Sequence, residues 1–270
     1  MGKEKDNFTM NTRFRRVITA LAGVYFLICG ALFSFQRSLL FQPTHRENRG
    51  KLTPWIVDGE QIGFCHEVPN PKGVWLMMHG NAGQASDRDY VLPHLPKSDA
   101  FYVLEYPGYG NRDGKPGRRT INAAANQAFH ALRAQYPKLP LGVIGESIGT
   151  GPACQLATLS APSKNTTVNI QGPDKIILFV PFDSLQRVVA KHFPWLPASW
   201  LLLDRWDNEQ ALKNYSGPLE IYGALYDQII PFEHAKQLAK GKSQAKMISL
   251  PCGHNEWAMR PEVQIAHGQP

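Results

Sequence analysis

The sequence predicts an α/β protein built on a mostly parallel sheet with helices on both faces, and three observations carry that expectation. Continuous apolar runs such as Val74-Trp75-Leu76-Met77-Met78 have the character of strands buried on both sides. Helical patterns, Thr120 to Tyr136 and Pro231 to Lys240, alternate with them, as a parallel sheet requires. Between one apolar run (Leu141, Val143, Ile144) and one helical stretch (Pro152 to Ala157) stands Gly145-Glu146-Ser147-Ile148-Gly149. Its small glycines permit a sharp, closely packed strand-to-helix turn that projects a serine hydroxyl.

The 270 residues allow one large domain and a short extra segment. A 43% hydrophobic, 19% charged composition can bury a substantial core. The net charge of +7 fits a basic anchor region, or a surface that meets anionic lipid head groups. No nucleic-acid-binding motif accompanies it, so nucleic acid is not an expected partner. The four cysteines, Cys29, Cys65, Cys154 and Cys252, form no C-x-x-C pair, which argues against zinc and thioredoxin-like sites. Cys29 and Cys154 read as packing residues, and the redox compartment stays open. No metal and no cofactor are expected.

In chain order, residues 1–16 form a basic tail. Residues 17–35 (Val17 to Phe35) are uncharged, apolar and long enough to cross a bilayer as one helix. A cleaved signal peptide is the rival reading, but the run is long for one and no clean small-x-small cleavage site precedes Gln36-Arg37. We therefore expect a retained single-pass signal anchor that binds membrane lipid. The Arg13-Arg15-Arg16 cluster predicts a cytoplasmic N-terminus, with the following domain on the opposite side. Arg37, Arg46, Arg49 and Lys51 beyond the helix reduce that asymmetry.

Residues 36–51 read as a linker, and 52–270 as the main domain. Trp55 to Val57 and Ile62 to Cys65 are short strands joined through Asp58-Gly59, a hairpin signal. Further strands are expected at Ala100 to Leu104, Lys175 to Val180, Leu219 to Gly223 and Lys246 to Leu250. Asn165-Thr166-Thr167 is a glycosylation sequon, meaningful in a eukaryotic secretory setting. Residues 181–218, between two strands, are expected to form a short helical cap.

In open parallel sheets, reactive groups gather beyond the carboxyl ends of strands. Ser147, Asp227 and His254 each follow a predicted strand, in the order of the α/β-hydrolase triad. Ser147 needs a base, His254 can supply it near neutral pH, and Asp227 would orient the imidazole. The backbone N–H groups of Asn81 and Ile148 are the candidate oxyanion donors. His79, Gly80, Tyr106, Gly145 and Gly149 are expected to support the site. Each residue has a plainer reading: Asp227 as a helix cap, His254 as a surface histidine, His79-Gly80 as a tight turn. Asp183 is the rival acid. What favours catalysis is that all of these fall at strand ends in one order.

His79-Gly80-Asn81-Ala82-Gly83, Tyr106-Pro107-Gly108-Tyr109-Gly110, the Ser147 pentad, Pro181-Phe182-Asp183-Ser184-Leu185, Asp227 with Ile230-Pro231, and Gly253-His254 together resemble the membrane-anchored α/β-hydrolase-domain (ABHD) family and its bacterial relatives. The resemblance runs from about Val74 to Trp257. It implies an α/β-hydrolase fold and cleavage of an acyl ester, thioester or amide through an acyl-enzyme. A catalytically silent scaffold that binds a lipid or protein partner is the alternative. One departure stands out. Arg112 and Pro116-Gly117-Arg118 replace the family's Ser and Pro-Ser-Glu, which is expected to put a base at the rim of the site.

Last, the cap carries Phe193, Trp195 and Trp200 among prolines. These three are expected to form an apolar lip facing lipid and admitting an acyl chain, although core packing explains the same letters.

Overall fold

The computed structural model describes residues 12–160 and 171–268. The sequon Asn165-Thr166-Thr167 and residues 1–11 of the basic tail lie outside the described residues. The chain opens with α1 (Thr12–Leu40), then a hairpin of β1 (Thr53–Val57) and β2 (Glu60–His66). β3 (Gly73–Met78), β4 (Asp99–Leu104), α2 (Arg118–Gln135), β5 (Leu141–Glu146) and α3 (Thr150–Leu156) follow. After them come β6 (Lys175–Phe179), three short helices, α4 (Leu185–His192), α5 (Ala198–Leu201) and α6 (Asn208–Ala211), then β7 (Leu219–Ala224), α7 (Glu233–Ala239) and β8 (Ala245–Leu250).

The strands form one eight-stranded sheet in the order β1-β2-β4-β3-β5-β6-β7-β8. β2 pairs antiparallel with β1 and β4; every pairing from β4 to β8 is parallel. The carboxyl ends of those six strands therefore share one edge. At Asp58-Gly59 both residues have positive φ, 51° and 82°, the geometry that joins two twisted antiparallel strands through a two-residue turn.

The buried runs are apolar on both faces because both faces are covered. Along β3, Val74, Leu76 and Met78 join a cluster with Ile121, Phe129 and Leu132 of α2. Trp75 and Met77 point to the opposite cluster, which holds Val91, Trp257 and Val263. Phe129 is fully buried, and such a side chain contributes about 1.5–3 kcal/mol by leaving water.

α1 departs from the expected boundary. It runs five residues past Phe35, through Gln36 and Arg37 to Leu40, into what the sequence offered as linker. The polar side chains there have partners on the segment between β6 and β7. Gln36 Nε2 donates to the Leu201 carbonyl at 3.0 Å, and Gln36 Oε1 accepts from the Leu203 N–H at 2.7 Å. Arg37 Nε lies 2.8 Å from Asp204 Oδ2. At 1.5 Å per residue the helix is about 43 Å long, and it is long and apolar enough to cross a membrane. Pro43 and the buried Phe41 follow its end.

Candidate active site

Four loops at the shared strand edge converge on Ser147. β5 ends at Glu146, and Ser147 takes a positive φ of 52°, a strained conformation for a residue with a Cβ. The neighbours must then be small. A Cβ on Gly149 would collide with the carbonyl oxygens of Met78 and His79, and one on Gly145 would press on Ala153 and Thr150. The Thr150 hydroxyl donates to the Ser147 carbonyl at 2.7 Å and closes the turn.

The β7–β8 ladder continues past the strands: Leu225 N–H donates to the Leu250 carbonyl, and Tyr226 N–H to that of Cys252. That pairing sets Asp227 beside the His254 loop. Asp227 Oδ1 accepts the N–H groups of Ile229 and Ile230, each at 2.8 Å. Its Oδ2 lies 2.6 Å from His254 Nδ1, and His254 Nε2 lies 2.9 Å from Ser147 Oγ. A carboxylate only accepts, so Nδ1 carries the proton and Nε2 is left to accept from the serine hydroxyl. Asp227 is buried and His254 half-buried.

His79 is fully buried, its ring stacked on Tyr106 with centroids 4.1 Å apart. The Tyr106 hydroxyl donates to the His79 carbonyl at 2.7 Å. Gly80 follows, and the Asn81 side chain is tied on three sides: Nδ2 donates to the Leu40 carbonyl, while Oδ1 accepts from Gln42 N–H and the Tyr109 hydroxyl. The backbone N–H of Asn81 thus sits on a braced loop. Ile148, buried, follows the serine directly. A cavity of about 670 Å³ is lined by Asn81, Ser147 and His254, with Ile229 and Met259 among the other lining residues. Ile229 is 52% exposed and Met259 81%, which makes this part of the rim apolar.

One residue at the centre of this site was not singled out from the sequence. Glu146 Oε2 accepts the Gly80 N–H at 2.8 Å; its Oε1 accepts the Tyr90 hydroxyl at 2.7 Å and the Trp257 indole N–H at 3.1 Å. Arg88 lies 3.8 Å away. Burial pushes the Glu146 carboxyl up, but the Arg88 guanidinium and the three donors outweigh it and hold the group below the usual range. Glu146 therefore joins the Gly80-Asn81 loop to the loop that carries His254 and Trp257. Its only sequence signal was its place inside the pentad. Arg88, Tyr90 and Trp257 carried none, because their partners are distant in the chain.

One expectation, the basic rim, looks different in place, and two of the plainer or rival readings can be set against the structure. Arg112 and Arg118 do not line the Ser147 cavity. Arg112 donates to the Glu105 carbonyl and pairs with Glu60, and the backbone N–H of Arg118 donates to the carboxylate of Asp204, the partner of Arg37. The Arg112 side chain thus supports the ends of β2 and β4 and not the rim. Phe193, Trp195 and Trp200 are 46%, 50% and 83% exposed, so none is core packing. They do not share one position: Phe193 lines a groove against α1, while the Trp195 carbonyl accepts from Tyr25 of α1 at 2.9 Å. Asp183 is hydrogen-bonded to His234, not to His254.

No family model matches the chain. An uncharacterized protein of Mycobacterium tuberculosis is 29% identical over 207 residues, covering 74% of this chain and 70% of that relative. The lysophosphatidylserine lipase ABHD12 of Danio rerio is 24% identical over 307 residues, covering 92% of this chain and 78% of its own. The mouse protein of that name is 26% identical, and the match spans 66% of this chain and about half, 48%, of that relative. Among solved structures, an alpha-beta hydrolase from Vibrio vulnificus matches with a TM-score of 0.59 at 20% identity, over 71% of this chain and 70% of that one. An esterase of Pyrococcus furiosus matches with 0.58 at 14% identity, over 81% and 95%. The fold is therefore that of the α/β-hydrolases. Within that class the chain is similar to the ABHD hydrolases and to bacterial members of the fold, as its motifs implied.

Proposed function

We propose that the protein is a membrane-anchored serine hydrolase that cleaves a lipid-like acyl ester or thioester through an acyl-enzyme. The observation that carries this reading is the hydrogen-bond chain from Ser147 Oγ through His254 to Asp227. In the proposed reaction His254 Nε2 takes the serine proton as Oγ attacks the acyl carbonyl. Asp227 stabilises the imidazolium without itself accepting the proton. The Asn81 and Ile148 N–H groups receive the negative charge that develops on the carbonyl oxygen. Collapse expels the leaving group with the proton from His254. Water, deprotonated by the same imidazole, then releases the acid and restores Ser147. No cofactor enters this scheme.

The lipid assignment is supported by α1 and by relatives named as lipases. The basic Arg13-Arg15-Arg16 end favours a cytoplasmic N-terminus and a hydrolase domain across the membrane. Phe193 and Trp195 stand beside α1 and, with the exposed Trp200, would form the lip that faces lipid.

A fluorophosphonate probe, which labels an activated serine, tests the central step. The full-length protein should be labelled and its Ser147→Ala variant should not. Absence of labelling in the folded wild type would favour the silent scaffold instead. Carbonate extraction should leave the protein in the membrane pellet, whereas a mature N-terminus at or beyond Ser34 would reveal a cleaved signal peptide. For the lip, Trp195→Ala should lose turnover on long acyl esters selectively; equal loss on short ones would reject that role.

A further inference from the structure

α1 is more than a tether in this structure. From Tyr25 onward it lies along the segment between β6 and β7, joined to it by Tyr25, Gln36 and Arg37. Between the two runs an apolar groove of about 360 Å³, within the size range of small-ligand pockets. Leu32, Phe33 and Leu40 form one wall, Phe193, Leu196 and Leu202 the other. Gln36 is its polar lining residue, and both ends of that amide are already hydrogen-bonded to Leu201 and Leu203.

The position of the groove says what can fill it. One wall is a helix fit to cross a bilayer. At 1.5 Å per residue, Tyr25 and Gln36 are about 16 Å apart along it. If Arg37 and Asp204 mark the head-group level, Tyr25 and the Trp195 backbone sit well inside the hydrocarbon. A groove opening there faces acyl chains, not water. The inner end is equally informative. The Leu40 carbonyl accepts from Asn81 Nδ2 at 2.6 Å, and Asn81 lines the Ser147 cavity. Next to Phe193 of the other wall, His192 Nε2 lies 2.8 Å from the carbonyl of Ile229, another residue of that cavity. Groove and reactive cavity thus meet across the single hydrogen bond between Leu40 and Asn81.

We propose that this groove holds the acyl chain of the substrate, so that the transmembrane helix itself forms half of the acyl-chain site. The chain enters sideways from the bilayer between α1 and the cap. It runs past Leu40, and its carbonyl carbon reaches Ser147 beside Asn81. This rests on the reading of Ser147 as an esterase nucleophile, and it adds that chain-length preference is written in α1.

The test uses the full chain in phosphatidylcholine vesicles, with p-nitrophenyl butyrate and p-nitrophenyl palmitate as probes. Leu32→Trp and Leu196→Trp fill the groove from opposite walls. Each should lower the palmitate-to-butyrate ratio of kcat/KM by about tenfold or more, since lost apolar contacts act on the long chain alone. Leu21→Trp, on the exposed face of α1, should leave the ratio at its wild-type value. A partly misfolded variant lowers both rates and leaves the ratio intact. An unchanged ratio in both groove variants overturns the proposal. A second measurement does not depend on turnover: a diazirine-bearing palmitic acid is photolysed with the wild-type protein. Adducts concentrated in 32–40 and 193–202 support the site. Adducts spread evenly along α1 from residue 17 onward indicate ordinary bilayer contact and overturn it. If the wild type turns over neither ester, the hydrolase reading fails, and the crosslinking pattern still decides the groove.

Discussion

Two aspartate–histidine pairs stand at the carboxyl edge of the sheet, and what surrounds each carboxylate separates them. Asp227 meets His254 Nδ1 at 2.6 Å, and Asp183 meets His234 Nδ1 at 2.8 Å. Beyond His254 the next atom is Ser147 Oγ. Asp227's other oxygen is held by two neutral backbone N–H groups, so its charge remains available to an imidazolium. Asp183 already has a cation, Arg187, at 2.7 Å, as well as the Ser184 N–H. Its pair joins the start of α4 to α7. An acid at a strand end therefore becomes a candidate triad member through the loop that follows it and the charge it has not yet neutralised. Residue type alone does not decide.

The comparison can be broken most sharply at the serine. Ser147→Ala and His254→Ala should each reduce kcat on p-nitrophenyl butyrate by on the order of 10⁵ to 10⁶, because triad members act as a unit. His234→Ala should stay within about tenfold of wild type, since residues outside that unit do not share its cost. Near-normal turnover by folded Ser147→Ala protein would remove the triad from this account.

Next come the two acids. Asp227→Asn should cost about 10⁴ in kcat by stabilising the wrong imidazole tautomer. Asp183→Asn should change kcat little and lower stability by about 1–3 kcal/mol, the cost of unpairing buried polar groups. Denaturant titration and steady-state kinetics on both variants check this. If the two effects were exchanged, Asp183 would be the acid.

A smaller effect is expected where Glu146 joins the loops. Glu146→Gln keeps the shape but loses the charge facing Arg88, and the Gly80 N–H loses its ionised acceptor. A displaced Gly80-Asn81 loop, where one proposed oxyanion donor stands, should lower kcat by about 10–100-fold with KM nearly constant, since misplacement of 1 Å costs about that much. A rise in KM alone would place Glu146 in substrate binding.

The smallest effect is on the acid limb of stability. For both Asp183 and Glu146, burial raises the carboxyl group and polar partners more than reverse it: His234 and Arg187 for the first, Arg88 and Tyr90 for the second. A folded-state value below the unfolded one gives stabilisation that is complete above the unfolded pKa, about 4 to 4.5 for these groups. It is lost as pH falls through the folded value. Unfolding free energy of the wild type should therefore fall as pH drops below that range, and more gently in Glu146→Gln and Asp183→Asn. Parallel acid limbs in all three proteins would show that neither carboxylate contributes.

Much of the frame was legible from local pattern. The strands at 74–78, 100–104 and 246–250 lie within a residue of where apolar runs placed them; for the first two, burial on both faces leaves no polar position to blur the ends. The Asp58-Gly59 hairpin and the glycines around Ser147 were equally local, each needed by a turn of known shape. Glu146 was not legible in this way. Inside a pentad its letter is variable, and its importance comes from Gly80, Tyr90 and Trp257, residues far away in the chain.

Local pattern sufficed to place residues at strand ends, to order Ser147, Asp227 and His254 along the chain, and to mark an apolar N-terminal helix. Periodicity and turn chemistry depend on neighbours in sequence, so they can be read there. Which acid faces which histidine, where Arg118 goes, and that α1 continues to Leu40 against Phe193 and Leu202 emerge in the folded chain alone. Those outcomes depend on the strand order β3-β5-β6-β7-β8 and on the path of the loops between strands, which bring distant residues within hydrogen-bond reach.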